Sequence, residues 1–414
     1  MPVLLKSRTA DQIKSALLGL GLAALLAGRA FGGGIEVPMQ NARASGQADA
    51  FIAQADDASA VWYNPAGLTQ VHGTQVIGGL LALFPDWNFN ADNGPGDEMT
   101  QEGLLPHFYL ASDLGTERFR VGIGINNSFG LREDWGPDSP LRYIIDEAQL
   151  IAMNISPAVA YQVDDHLSLG FALNIYYGDL SLNRSVQLGA PPTPDGSFHL
   201  EGHDWAVGFT PSILYKINEQ HQIGAFYRSE VALNLHGSAE LGIPGAPDVP
   251  PQHSTVTLNL PQQIGVGYAF KPIESLKLEA DLIWTDWNSL NDFRIKSDSP
   301  LFNKQEIPTN WQSGFTYRLG AQYKINDTWT VRGGYAYSQN AVPNATFTPI
   351  VPDSDYHLFA VGVGYTKGSL SLDLAYNFIY REDREIHNSA LSPTVDGTWT
   401  NTYHCVMLSA TYTF

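Results

Sequence analysis

Residues 367–380 read KGSLSLDLAYNFIY. Past the Lys367-Gly368 break, Leu370, Leu372, Leu374, Tyr376, Phe378 and Tyr380 fall on one side of an extended chain, with Ser371, Asp373, Ala375 and Asn377 on the other. Successive side chains of a strand point to opposite faces, so one face here is apolar and the other carries a carboxylate. Asp373 in the middle of so apolar a strand requires a polar or wet interior. This is the pattern of a strand in a membrane β-barrel, whose outer face meets lipid over about 25 Å. The chain ends on the same alternation, with Val406, Leu408, Ala410, Tyr412 and the terminal Phe414 on one face, as the closing strand of an outer-membrane barrel does.

Working outward from that stretch, short polar breaks alternate with long ones. The short breaks are Asp113 to Glu117, Asp164-Asp165, Asn218 to Gln220, Lys271-Pro272, Asn326-Asp327 and Lys367-Gly368. The long ones run from about Asn88 to Gly103, Leu131 to Glu147, Asn183 to Gly202, Gly237 to His253, Lys296 to Thr309, Asn340 to Ser354 and Arg381 to Gly397. Outer-membrane barrels have short periplasmic turns and longer external loops. The rhythm therefore predicts an all-β, 14-stranded antiparallel transmembrane barrel over 73–414 with both ends on the periplasmic side.

Hydrophobic residues make up 44% of the 414, yet no long apolar run follows the start, which excludes a helical membrane protein. The 39 glycines, 19 tyrosines and 9 tryptophans suit strands with aromatic girdles at their ends. Lys6, Arg8 and Lys14, the apolar stretch Ala16 to Ala27 and then Gly28-Arg29-Ala30 read as a signal peptide over 1–30, since a membrane anchor needs about 20 apolar residues. Cleavage there removes four basic and one acidic group and takes the formal charge from −19 to −22. So acidic an exported chain is a poor partner for nucleic acid. Its loop carboxylates, such as Asp92, Asp97, Glu98, Asp134 and Asp138, read as solvated charge. The single Cys405 supplies no disulfide or thiolate metal site. The eleven histidines are scattered, with no HExxH and no GxSxG, so neither an enzyme, a cofactor nor a metal is expected.

Other segments repeat the alternation. Phe359, Val361, Val363 and Tyr365 oppose Ala360, Gly362 and Gly364, a nearly bare inner face that leaves room for something inside the barrel. Leu276, Leu278, Ala280, Leu282 and Trp284 oppose Lys277, Glu279 and Asp281. In the seventh segment Ile223, Ala225, Tyr227, Val231, Leu233 and Leu235 read as outward, with Gln222, Phe226, Arg228, Glu230 and Asn234 inward. Arg228 and Glu230 are thus expected as neighbours on the lumen wall, an ion pair tying the wall to a plug or a direct ligand contact. In the third segment Val121, Ile123 and Ile125 alternate outward, and then Asn126-Asn127-Ser128 breaks the apolar face ahead of Phe129 and Gly130. Polar side chains facing lipid are costly, so the strand either bends inward there or has reached the interface.

Residues 31–72 precede the first strand and do not alternate. Ala42 to Ala60 is rich in Ala, Gly, Ser, Asp and Gln, too polar for a lipid-facing strand and compatible with a partly helical plug in the wide lumen of a 14-stranded barrel. It leads through Asp56-Asp57-Ala58 to Asn64-Pro65-Ala66, where Pro fixes φ at a rigid corner. Together with Tyr227-Arg228-Ser229-Glu230, Leu260-Pro261, Trp284-x-x-Trp287 and the stretch Gly124 to Gly130, these residues resemble the FadL family of outer-membrane transporters of hydrophobic compounds, nearly from Ile35 to Phe414.

The resemblance implies that Asn64, Pro65 and Ala66 mark an N-terminal hatch over 31–72. It also implies that Asn126, Asn127, Ser128, Phe129 and Gly130 form an inward kink opening the wall sideways, and that Phe31, Gly32, Gly33 and Ile35 act as the N-terminal gate. The implied activity is passive transport of long-chain fatty acids or aromatic hydrocarbons across the outer membrane of a diderm bacterium. The chain would act as a monomer surrounded by outer-membrane lipid, with Phe414 read by the barrel-insertion machinery. The segments 183–202 and 237–253 correspond to the family's capture loops, yet both are Pro-rich and hold few large apolar residues, and Arg228 is the only candidate partner for a fatty-acid carboxylate. An aqueous porin or structural barrel would share the wall without needing the plug.

Overall fold

The computed structural model describes residues 34–414 apart from 191, 248, 291, 301, 303, 304, 388, 390 and 391. The signal-peptide reading of 1–30 and the gate positions Phe31, Gly32 and Gly33 lie outside the described residues. Fourteen antiparallel strands close into a barrel: β1 (Thr74–Ala91), β2 (Gly103–Ser112), β3 (Phe119–Asp134), β4 (Glu147–Gln162), β5 (Leu167–Val186) and β6 (Gly196–Lys216). They continue as β7 (His221–Arg228, then Val231–Gly242), β8 (Gln252–Leu260, then Gln263–Ile273), β9 (Leu276–Thr285, then Asp292–Ser297) and β10 (Gln305–Pro308, then Gly314–Lys324). The last are β11 (Trp329–Ser338), β12 (Tyr356–Lys367), β13 (Leu370–Ile386) and β14 (Gly397–Thr413). β14 pairs with β1 from Gln75↔Thr413 to Ala91↔Gly397, so the barrel has no free edge there.

The expected faces of β13 and β14 hold. Leu370, Leu372, Leu374, Val406, Leu408 and Phe414 are exposed on the outside, while Asp373 is buried inside and bonded to Arg332 at 2.7 Å. The short breaks are side-chain-capped turns. Asp113 accepts from the N–H of Gly73 and Gly115, Asp164 from His166 and Leu167, Asn218 from Gln220 and His221, and Asn326 from Thr328 and Trp329. Asn and Asp at these positions mimic a backbone turn.

Two long breaks are shorter than the sequence suggests. β5 and β6 stay paired out to Val186↔Gly196, and β7 and β8 from Gln252↔Ala239, so much of 183–202 and 237–253 is strand. Above the membrane a strand has no need of an apolar outer face, so hydropathy does not register the extension.

Inside the lower half of the barrel lies the described part of the N-terminal segment, with short helices α1 (Ala42–Ser45) and α2 (Ala60–Tyr63) and a 3₁₀ turn at Pro65–Gln70. It approaches the wall where the wall has no side chains. A Cβ on Gly320 would lie 2.9 Å from the Ala50 Cβ, one on Gly362 2.9 Å from the Gly46 Cα, and one on Gly122 2.7 Å from Val61. Gly362 belongs to the bare face anticipated in β12, and Gly320 on β10 and Gly122 on β3 play the same part elsewhere in the wall, letting the inner segment pack close against it.

Candidate ligand cavity, hatch contacts and breaks in the wall

The inner segment is held by polar groups that the wall points inward. On β9, the Asp281 carboxylate accepts from the N–H of Phe51 (2.9 Å) and Ile52 (3.2 Å), and that of Glu279 from Ala53 (2.6 Å) and Gln54 (2.9 Å). Next to them the Lys277 ammonium donates to Asp56, which also pairs with Arg43 at 2.8 Å. Inward side chains at i and i+2 of one strand share a face, which is why Lys277, Glu279 and Asp281 act together. Asn64 uses its amide fully: the Nδ2 donates to the Ile52 and Ile213 carbonyls, and the Oδ1 accepts from Ala66 N–H to cap the turn that Pro65 opens. Ala66 N–H also donates to Ser212 of β6 at 2.9 Å, fixing the corner to the wall.

Arg228 sits at the wall as expected, buried, but its partners differ from those anticipated. Its guanidinium donates to the Trp62 carbonyl at 2.9 Å and to Gln263, and lies 3.5 Å from the Trp62 ring centroid. It therefore ties the wall to the inner segment. Glu230 is exposed, with no ion pair among the described residues, so the inward pairing with Arg228 is not formed. The cause is the break in β7 at Ser229-Glu230: one added residue flips every later side chain to the other face. Val231, Leu233 and Leu235, expected outside, are buried inside, and Asn234 is exposed.

β3 leaves the wall where the sequence loses its apolar face. Its ladder with β2 runs from Ser112↔Val121 to Phe108↔Ile125 and stops, while its ladder with β4 continues to Asp134↔Glu147 across a bulge between Asn127 and Phe129. Residues 126–131 are buried without alternation. Asn126 donates to the Tyr109 hydroxyl at 3.0 Å, Asn127 to the Pro106 carbonyl at 3.3 Å, and Ser128 lies 3.4 Å from the Tyr176 hydroxyl. Phe129 packs between Tyr176 and Trp287. The vacated edge is taken by the N-terminal segment: Val37 N–H donates to the Ser128 carbonyl (2.9 Å), and Gly130 N–H to the Ile35 carbonyl (2.8 Å). Gln40 adds a side-chain bond to the Asn127 carbonyl at 3.0 Å.

Above the hatch is a cavity of about 370 Å³, within the roughly 300–1,000 Å³ of small-molecule sites. Leu150, Leu180, Leu182, Leu200, Leu258 and Trp311 are among its lining residues, and Ile35 and Leu131 form its side toward the kink. Among the described residues that line it there is no carboxylate and one cation, Arg184. The Arg184 guanidinium lies 5.1 Å from the Phe198 ring and donates to the Tyr143 carbonyl at 3.2 Å. The sequence reading missed Arg184 because it placed 184 in a loop. Continuing the alternation Leu180, Leu182, Arg184 up β5 would have put a cation on the apolar inner face.

The family profile described as "Outer membrane protein transport protein (OMPP1/FadL/TodX)" matches residues 23–414. A long-chain fatty acid transport protein from Shigella flexneri is 24% identical over 379 residues, covering 80% of this chain and 84% of that protein. The crystal structure of a Pseudomonas aeruginosa FadL homologue superposes with a TM-score of 0.83 at 22% identity, covering 92% of this chain and 100% of the other. The Pseudomonas putida toluene transporter TodX superposes at 0.70 with 18% identity, covering 86% and 93%.

Proposed function

We infer the function from one premise: this chain belongs to the outer membrane protein transport protein family (OMPP1/FadL/TodX). It is a multi-pass outer-membrane barrel, and its family carries hydrophobic compounds. We propose that its own cargo is a long-chain monocarboxylate, moved passively and released sideways. The observation that carries this is the apolar cavity whose one cation, Arg184, faces no carboxylate in the lining. A fatty-acid chain suits the leucine and aromatic walls, where burial is worth about 25 cal/mol per Å². Its carboxylate would supply an anion that none of the described lining residues offers Arg184, a role the sequence alone assigned to Arg228.

Release would go through the gap between β2 and β3. Ile35 stands between cavity and kink and holds β3 through one backbone bond, with Val37 making a second. A shift of residues 31–37 would uncover the gap, with Asn126 to Gly130 as its rim. The barrel is proposed to act as a monomer in outer-membrane lipid, inserted through machinery that reads Phe414. The packed inner segment disfavours an aqueous porin.

The test is uptake of radiolabelled oleate and of toluene by a transporter-deficient strain expressing this chain, beside Gly130→Pro and a deletion of 31–35. Gly130→Pro removes the N–H that bonds Ile35. Uptake that falls in both variants supports sideways release, and the compound taken up names the cargo class. Absence of uptake, with ion conductance in planar bilayers insensitive to the deletion, would mean a porin.

A further inference from the structure

The wall has a second break, between β6 and β7, that neither the kink nor the hatch uses. β6 pairs with β7 in two blocks, Ser212↔Phe226 to Lys216↔Gln222 and Ser197↔Gly242 to His203↔His236. Across 204–211 the ladder is missing. The ties that remain are Ser229 N–H to the Phe209 carbonyl (3.0 Å), Phe209 N–H to the Ser229 hydroxyl (3.0 Å) and Asn234 N–H to the Asp204 carboxylate (2.7 Å). Here β7 dips inward over its neighbours. A Cβ on Gly208 of β6 would lie 2.5 Å from Val231, and one on Gly178 of β5 2.8 Å from Leu233, so these two side chains spread across the inner face of β6.

On the outside the same stretch faces lipid. Val207 is 61% exposed and Trp205 56%, with the Trp205 ring 5.0 Å from Tyr177 as part of an interfacial aromatic pair. An unpaired strand edge at membrane depth is tolerated where it borders a cavity or path rather than lipid alone. The inner side of this edge adjoins the cavity: Leu180 and Leu182 of β5, Leu200 of β6 and Leu258 of β8 line the cavity, and Leu258 is the register partner of Leu233, which with Val231 belongs to the same apolar cluster. The break itself carries Asp204 and Glu230 beside Asn234, with no Lys or Arg among the described residues 203–211 and 229–236; His203 and His236 face each other where the ladder resumes.

We propose that the β6–β7 break is a side entrance through which uncharged hydrophobic molecules dissolved in the surrounding lipid reach the cavity, with Val231 and Leu233 as its gate. The acidic rim repels carboxylates and admits neutral molecules, so anionic and neutral cargo enter by different routes. This rests on the cavity being the ligand site.

Val207 and Ala232 are both exposed and flank the break. The test places the Val207→Cys, Ala232→Cys protein in lipid nanodiscs and bridges the pair with a reducible bifunctional thiol reagent. Loading of diphenylhexatriene, a neutral fluorophore, is followed by energy transfer from Trp311, taking the part of the signal lost in Trp311→Phe. The expected result is loading slowed several-fold by the bridge, unchanged final occupancy, and recovery on reduction. Leu233→Ala, without the bridge, is expected to speed loading. Full occupancy with a rate unaffected by either change would overturn the entrance. No occupancy even in the unbridged protein would overturn the cavity reading on which it rests.

Discussion

Arg184→Met separates recognition of a carboxylate from recognition of a chain. Methionine retains apolar packing against Phe198 and removes the guanidinium, leaving the cavity with no cation in its described lining. A hydrogen bond to a charged group contributes about 1.5–3 kcal/mol. At 1.4 kcal/mol per factor of ten, oleate should bind on the order of 10-fold to 150-fold more weakly. Oleyl alcohol, with the same chain and no charge, should bind as tightly or more so, because a cation partly withdrawn from water no longer has to be kept there. Arg184 also donates to Tyr143, so loosening of the segment above the cavity would weaken both ligands alike. The assay is displacement of a fluorescent fatty acid from purified protein by each ligand, at a pH where oleate is ionised. Equal losses for oleate and oleyl alcohol would show that Arg184 serves packing; no loss for either would remove the carboxylate from this site.

Other outcomes follow from the hatch and the loops. Asp281→Ala leaves the buried N–H groups of Phe51 and Ile52 without their acceptor, at a cost of about 1–3 kcal/mol each. Single-channel recordings should then show open events absent from the parent, and a silent variant would refute the anchoring role. Gly334→Leu places a side chain against the Gln47 backbone, so the barrel should still resist SDS unheated while conductance rises; an unchanged conductance would mean the segment yields there. Outside the membrane, His387 has a pKa raised above its ordinary value by its hydrogen bond to Asp92, with Glu385 adding to it. Because the folded pKa is raised, this loop contact is fully present below the ordinary histidine value and is lost as pH rises through the raised one. An NMR titration should move back toward the ordinary value in Asp92→Asn, and no movement would exclude the pairing.

The membrane-embedded wall was legible because lipid imposes a period of two on any strand that crosses it. β13 and β14 obey that constraint, as do Lys277, Glu279 and Asp281 on β9, and the bare inner face of β12 left room for the inner segment. Reading failed where the constraint lapses. Above the membrane β5 and β6 keep their ladder without an apolar outer face, so Arg184 was hidden in an apparent loop. At Ser229-Glu230 one added residue inverted the faces of β7, and hydropathy alone cannot distinguish an inverted strand from a continuous one when both faces carry leucine and valine. The kink in β3 left a mark because Asn126, Asn127 and Ser128 are costly in lipid, yet that mark fitted arrival at the interface equally well, whereas the partner that fills its edge, Ile35 to Val37, carries no local signal at all.

The distribution of contacts bears on the direction of release. A downward route requires moving the body of the inner segment, which is held by four N–H bonds to the Glu279 and Asp281 carboxylates, by Lys277 and Arg43 on Asp56, and by Arg228 on Trp62. Bonds to charged groups contribute about 1.5–3 kcal/mol each, so that movement opposes a large sum. A sideways route requires freeing Ile35 and Val37 from β3, two neutral backbone bonds, the Gln40 side chain from Asn127, and one bond to a charged group, that of Gln263 to the Glu36 carboxylate at 2.9 Å. Neutral bonds contribute about 0.5–1.5 kcal/mol each. The same inner segment is therefore fixed firmly along its body and lightly at its start, next to the cavity. That asymmetry favours a ligand leaving past Ile35 with the body of the hatch in place, and it predicts that Gly130→Pro, which breaks the Ile35 bond, lowers uptake while leaving ion conductance as it was.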